Sequence, residues 1–137
     1  ERRFLVKGDL PPAESVEEIT DRYLLGTRLR LRRNSTNERV IHKLAKIEDV
    51  AVGHKKLTNL YLTDDEAAVL QHLPARVVSK KRHVITYEGK RWVVDEFFNG
   101  LLIAEIEHAA DEEIEIPGWC GEEITADPSY SGWSMAH

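Results

Sequence analysis

Residues 27–33 read "TRLRLRR", basic and apolar side chains alternating with a period of two. As a β-strand this stretch sends Arg28, Arg30 and Arg32 to one face and Leu29 and Leu31 to the other. A half-buried sheet ordinarily wets its charged face, and the arginines then lie in water. Turned round, the same strand lines an interior with guanidinium groups, and that interior holds something anionic. The alternation is compatible with both arrangements.

The flanking segments extend the strand into a sheet. Residues 1–7 and 17–25 are rich in strand formers and are separated by a loop containing Pro11 and Pro12. After the turn "NSTNE", residues 39–48 form a hairpin partner for residues 27–33. Residues 56–62 make a short fifth strand. Thr63 with Glu66 three positions on is a capping box, and it predicts a helix that runs to Pro74. A long strand from residue 75 turns at Glu88-Gly89 into "KRWVVDEFF". Asn99-Gly100 then marks the hairpin into "LLIAEIEH". A short strand over residues 122–125 and a terminal helical turn complete the chain. About eight strands with few helices predict a mainly β (α+β) fold, an antiparallel barrel or sandwich. An eight-stranded barrel has room inside for packed side chains or one small ligand.

Composition narrows the function classes. At 137 residues, with 42% apolar and 31% charged residues, the chain suits one globular domain spanning 1–137, and no repeat or linker divides it. A net charge of −5 argues against a surface that wraps nucleic acid, which is ordinarily basic. No apolar run approaches a membrane span, and residues 1–8 lack a signal-peptide layout. The single Cys120 leaves no internal disulfide, so a cytoplasmic location is the expectation. Any anion must therefore be bound by a focused cluster of bases. Strand parity supplies same-face charged pairs on four strands: Glu1 with Arg3, Arg28 with Arg30, Lys80 with Arg82, and Glu105 with Glu107. The six histidines show no compact ligand spacing, and each suits a surface or locally hydrogen-bonded role. Trp92, Trp119 and Trp133 suit core or rim packing better than stacking on a nucleobase.

These segments, taken in order, resemble the CYTH family, also called triphosphate tunnel metalloenzymes. "ERRFLV" is similar to the latter part of a Glu-x-Glu-x-Lys first strand, with Glu1 as the second glutamate and Arg3 in place of the lysine. "TRLRLRR" resembles the Arg-x-Arg strand and "HKLAK" the Leu-Thr-x-Lys strand. "SKKRH", "RWVVDEFFNGLLIAEIE" and "GEEITADPSYS" resemble the short bacterial members. The resemblance implies an eight-stranded antiparallel β-barrel tunnel with a few short flanking helices and inward-pointing charges. It also implies a metal-dependent phosphohydrolase acting on a triphosphate compound, in the first place inorganic tripolyphosphate. Arg3, Arg28, Arg30, Lys80 and Arg82 then bind phosphate, and Lys43 joins Glu105 and Glu107 in catalysis. Glu1, Glu105, Glu107 and Glu123 hold Mg²⁺ or Mn²⁺, hard cations that prefer carboxylate and phosphate oxygens. Asp95 is a further tunnel carboxylate.

The chain also departs from the family pattern. Ala45 stands for the threonine and Ile47 for the lysine of the fourth strand, and "LTNLYL" lacks the carboxylates used elsewhere for a second metal. These departures keep a second reading open, a barrel that binds polyphosphate or an organophosphate without turnover. Within the enzyme reading, thiamine triphosphate, nucleoside triphosphates and adenylate cyclisation are alternative chemistries of the family. A nucleic-acid binder using "RLRLRR" and "SKKRH" externally is a third and weaker reading. Apolar residues on the outer wall exceed what one helix can cover, and packing against a second copy, a homodimer, is the expectation.

Overall fold

The computed structural model describes residues 1–51, 54–109 and 112–137. Nine strands run in chain order as β1 (Arg2–Val6), β2 (Ser15–Leu24), β3 (Leu29–Ser35), β4 (Val40–Ala51), β5 (His54–Leu62), β6 (Ala75–Tyr87), β7 (Lys90–Phe97), β8 (Leu102–Ile106) and β9 (Cys120–Glu123). Helix α1 (Asp64–Leu70) follows β5, and a 3₁₀ turn (Pro128–Tyr130) and helix α2 (Gly132–Met135) close the chain. No helix among the described residues is long and apolar enough to cross a membrane.

Every strand pair is antiparallel, in the order β5-β4-β3-β2-β6-β7-β8-β1-β9. The antiparallel β class expected from the sequence holds, but the sheet has nine strands and stays open between β5 and β9. The ninth strand arises because Cys120–Glu123 pairs with the free edge of β1, with Phe4 opposite Glu123. It lies two residues earlier than the alternation in residues 122–125 suggested. The sheet nevertheless curls. His54 of β5 and His108, just past β8, bring their ring centroids to 6.2 Å although five strands separate β5 from β8 in the sheet order.

Local chemistry explains the connections. Thr63 accepts from the Glu66 backbone N–H, and the Glu66 carboxylate accepts from the Thr63 N–H, completing the capping box of α1. The β6–β7 turn holds both Glu88 (φ 49°) and Gly89 (φ 74°) in left-handed conformations, the requirement of a type I′ hairpin.

Two apolar clusters lie on opposite faces of the sheet. Phe4, Ile85, Trp92, Val94, Ala104, Ile106 and Cys120 pack on one face, with Leu10, Ile114 and Trp119 against them. Val78, Phe97, Ile103, Ile124 and Ala136 pack on the other, joined by Leu5 and Tyr23. Strand parity puts this second cluster on the face that carries Arg3, Asp21, Lys80, Asp95 and Glu105. The C-terminal segment seals it. Val77 and His137 exchange backbone hydrogen bonds at 2.7 and 2.9 Å, and the Arg76 guanidinium donates to the Ala136 carbonyl at 2.7 Å.

Candidate functional site: a buried cationic face

The charged face is built by register. On β2, Asp21 lies opposite Arg32 of β3 and Val78 of β6, and Tyr23 lies opposite Arg30. Lys43 of β4 lies opposite Arg32, and Asp95 of β7 lies opposite Arg82 of β6. Adjacent strands thus place one row of charges side by side, because residues paired across a ladder point to the same side.

Asp21 and Asp95, 0% and 1% exposed, are the anchors. Asp21 accepts a two-point fork from Arg32, at 2.7 Å from Nε and 2.8 Å from Nη2. Asp95 accepts the same fork from Arg82 at 2.8 and 2.9 Å. Lys80 Nζ joins the two carboxylates, 2.9 Å from Asp95 and 4.0 Å from Asp21. Burial alone would raise both acids. The Arg32 fork and the charges of Lys80, Arg32 and Arg30 outweigh it at Asp21. The charge of Lys80 and the Arg82 fork do so at Asp95, and both carboxyls sit below the usual range.

Arg30 differs from its neighbours. It is 8% exposed, and its Nε has no hydrogen-bond partner among the described residues. Its one ion pair there is a long one, 4.0 Å to Asp21. Burial, and then the like charge of Arg32, hold its guanidinium below the ordinary arginine range. Half-buried Lys43 is likewise lowered by burial and by the charges of Arg32, Arg30 and Arg82. Arg30, Arg32, Lys43, Lys80 and Arg82 face Asp21, Asp95 and, opposite Arg82, Glu17, so five cations meet three anions, a surplus of two positive charges.

Further round the curl, Arg3 Nε donates to Glu105 at 3.0 Å, with both side chains largely buried. Glu1 is raised to about 7 by burial and by the negative charges of Glu105 and Glu107, with Arg3 opposing. These three hard carboxylates repel one another, and their donor chemistry suits a divalent cation that would relieve the repulsion. As they stand they are not gathered around one point: among the described residues no three acidic, imidazole or thiol groups are grouped to hold an ion.

Two residues expected at the site lie apart from this face. Arg28 precedes β3, its side chain is 62% exposed, and it reaches Glu48 at 3.4 Å. Glu123 accepts from Arg2 at 2.7 Å and from Thr125, and Arg2 has the opposite parity from Arg3. Glu107 is exposed, beyond the end of β8. Arg3, Arg30, Lys43, Lys80, Arg82 and Glu105 all lie on the one face. Sequence reasoning overlooked Asp21, and placed Arg32 on the arginine face without giving it a role. The signal for Asp21 was available, a carboxylate between Ile19 and Tyr23 at the same strand parity. Ile47 lies opposite Leu57, and Ala45 opposite Asn59, so neither pair brings a carboxylate to this face; Asp49, next at the same parity, is solvent-exposed and pairs with Lys55 at 3.9 Å. His83 pairs with Glu96 at 3.0 Å on the other face, and burial pushes the Cys120 thiol up to about 11, far from a reactive thiolate.

No protein-family model matches the chain. Over 67 residues, 45% of this chain, it is 40% identical to an inorganic triphosphatase of Acetivibrio thermocellus, and the match spans 43% of that protein's length. Two solved structures of the protein NE1496, one described as an inorganic triphosphatase, align with a TM-score of 0.64 at 19% identity. The alignment covers 98% of this chain and 94% of that one. The PH1819 protein of Pyrococcus horikoshii aligns with a TM-score of 0.53 at 16% identity over 80% of each chain. At these identities the structural likeness is one of fold.

Proposed function

We propose that this chain is a CYTH-type domain that hydrolyses a triphosphate compound bound along the cationic face, with inorganic tripolyphosphate as the substrate. The buried Nε of Arg30, which makes no hydrogen bond among the described residues and stands 4.0 Å from Asp21, carries this reading. A guanidinium N–H left unpaired in a buried place costs stability unless a ligand accepts from it. The surrounding surplus of positive charge asks for a compact polyanion, and guanidinium forks match phosphate oxygens in pairs. The partly matched triphosphatase of Acetivibrio thermocellus supports the same reading.

In this scheme Arg30, Arg32, Lys80 and Arg82 grip the phosphate chain, and Arg3 extends the grip toward Glu105. Glu1, Glu105 and Glu107 would hold Mg²⁺ or Mn²⁺, which would neutralise phosphate charge and orient the terminal phosphorus. Lys43, opposite Arg32 and lowered by burial and by three arginines, would give a proton to the departing bridging oxygen, and the attacking water's proton would leave with the released phosphate. Water attacks the terminal phosphorus, the bridging P–O bond breaks, and pyrophosphate and phosphate leave. Positioning and charge stabilisation carry such a transfer without a covalent nucleophile.

The test is phosphate release from tripolyphosphate with Mg²⁺ or Mn²⁺, in the wild type and in a Glu105→Gln, Glu107→Gln double variant. Release that depends on metal and disappears in the double variant supports the proposal; release indifferent to both rejects it. Leu57 and Asn59 opposite Ile47 and Ala45 favour a second reading, binding without turnover. Tight tripolyphosphate binding in calorimetry with no release under either metal would select it.

A further inference from the structure

Asp21 does more than fill a place in the ladder. It is 0% exposed, so it lies out of contact with bulk solvent. Its two oxygens hold the Arg32 fork at 2.7 and 2.8 Å, and the same oxygens lie 4.0 Å from Arg30 Nε and 4.0 Å from Lys80 Nζ. One carboxylate is therefore shared by three cations. Lys80 has a second anion in Asp95, whereas Arg30 has no other ion pair among the described residues. Three like charges this close in a low-dielectric setting repel strongly, and the carboxylate between them keeps them in place.

From this geometry we infer that Asp21 is a positioning residue with a second duty, an internal counter-anion that limits how tightly the face holds phosphate chains and so speeds release of the cleaved products. The inference rests on the triphosphate reading above. An incoming chain must share Arg32, Arg30 and Lys80 with Asp21, and its oxygens are repelled by that carboxylate. A triphosphate overcomes the competition because it carries more charge than either product and is long enough to meet several of these cations at once. Pyrophosphate and phosphate, shorter and less charged, meet fewer of them and leave. Without the negative charge at position 21, the same cations would hold substrate and products too firmly.

Asp21→Asn tests this, because it keeps the shape and one acceptor for Arg32 while removing the charge. Calorimetry should show tripolyphosphate and pyrophosphate each binding about tenfold tighter or more than in the wild type. Steady-state kinetics should show KM and kcat falling together, with stronger inhibition by pyrophosphate. A merely structural Asp21 would lower stability without tightening either ligand. Should the free variant be marginal, thermal melts decide: a larger rise on adding tripolyphosphate than in the wild type supports the inference, and an equal or smaller rise overturns it. Unaltered or weaker binding by Asp21→Asn, with the wild type still binding, overturns this inference alone. A wild type that binds no tripolyphosphate overturns the functional reading and this one with it.

Discussion

Arg28 and Arg30 stand two residues apart in sequence and meet opposite surroundings. Arg28 is solvated and loosely paired to Glu48, and exposed pairs of that kind contribute little. Arg30 is buried and under-partnered, which is costly in the empty protein and useful once an anion arrives. Arg30→Gln should therefore weaken tripolyphosphate binding by roughly ten- to a hundredfold, the range of one or two charge-assisted hydrogen bonds. Its melting temperature should equal or exceed that of the wild type. Arg28→Ala should change binding by less than about threefold. Calorimetry and thermal melts on the two variants check both statements, and equal losses would contradict them. The buried acids predict the response to pH. Asp21 and Asp95 are held below their ordinary values in the folded protein, so their stabilisation is complete above the unfolded carboxylate value of about 4. It is lost as pH falls from there through the folded values. The wild-type melting temperature should drop steeply below about pH 4. Asp95→Asn should be less stable by about 3–5 kcal/mol at pH 7, since Arg82 and Lys80 lose their charged partner, and flatter in acid.

Most elements were legible because their signals are local. The Thr63–Glu66 capping box and the Glu88-Gly89 turn each need only a few neighbouring residues, and both form as expected. The alternation in residues 27–33 likewise set β3, but the side on which its charges are buried depends on strands far away in sequence. Arg32 is buried because Asp21 of β2 lies opposite it, and no window around either residue contains the other's environment. The ninth strand escaped the expected count for a similar reason, since a four-residue strand exists only through its pairing with β1. The contact between α2 and the charged face is equally non-local. A Cβ on Gly132 would overlap the Tyr23 hydroxyl, and Tyr23 lies opposite Arg30 and stands edge-on to Trp133 at 6.2 Å. Gly132→Ala must therefore push α2 or the Tyr23 ring aside. A cost of about 1–3 kcal/mol is expected from overpacking, read as a shift in the urea midpoint. A midpoint within about 0.5 kcal/mol of wild type would mean that α2 does not seat on Tyr23.

Across the whole molecule, stability should be graded along the sheet order. The central strands β2, β6 and β7 bury residues on both faces: Ile19, Asp21 and Leu24 in β2, Val84 and Ile85 in β6, and Trp92, Val94 and Asp95 in β7. Edge strand β5 is exposed along residues 55–61, and Leu57, Leu60 and Tyr61 are all uncovered. Lys55 and Lys56 on that strand discourage addition of a further strand, a common protection for an edge. Local opening takes the least free energy where fewest buried contacts are lost, so β5 amides should exchange hydrogen fastest among the strands and β6 and β7 amides slowest. Tripolyphosphate changes this gradient in a definite way. A ligand gripped by Arg30, Arg32, Lys80 and Arg82 ties β3 to β6 across β2, and its binding free energy opposes opening of those strands. Protection should rise most in β2, β3 and β6, moderately in β4 through Lys43, and least in β5, whose residues opposite Lys43, Ala45 and Ile47 are the uncharged Tyr61, Asn59 and Leu57. Exchange followed by mass spectrometry, with and without tripolyphosphate, reads the pattern directly. Protection concentrated in β5, or spread evenly over all nine strands, would place the anion somewhere other than on the face that Asp21 and Asp95 organise.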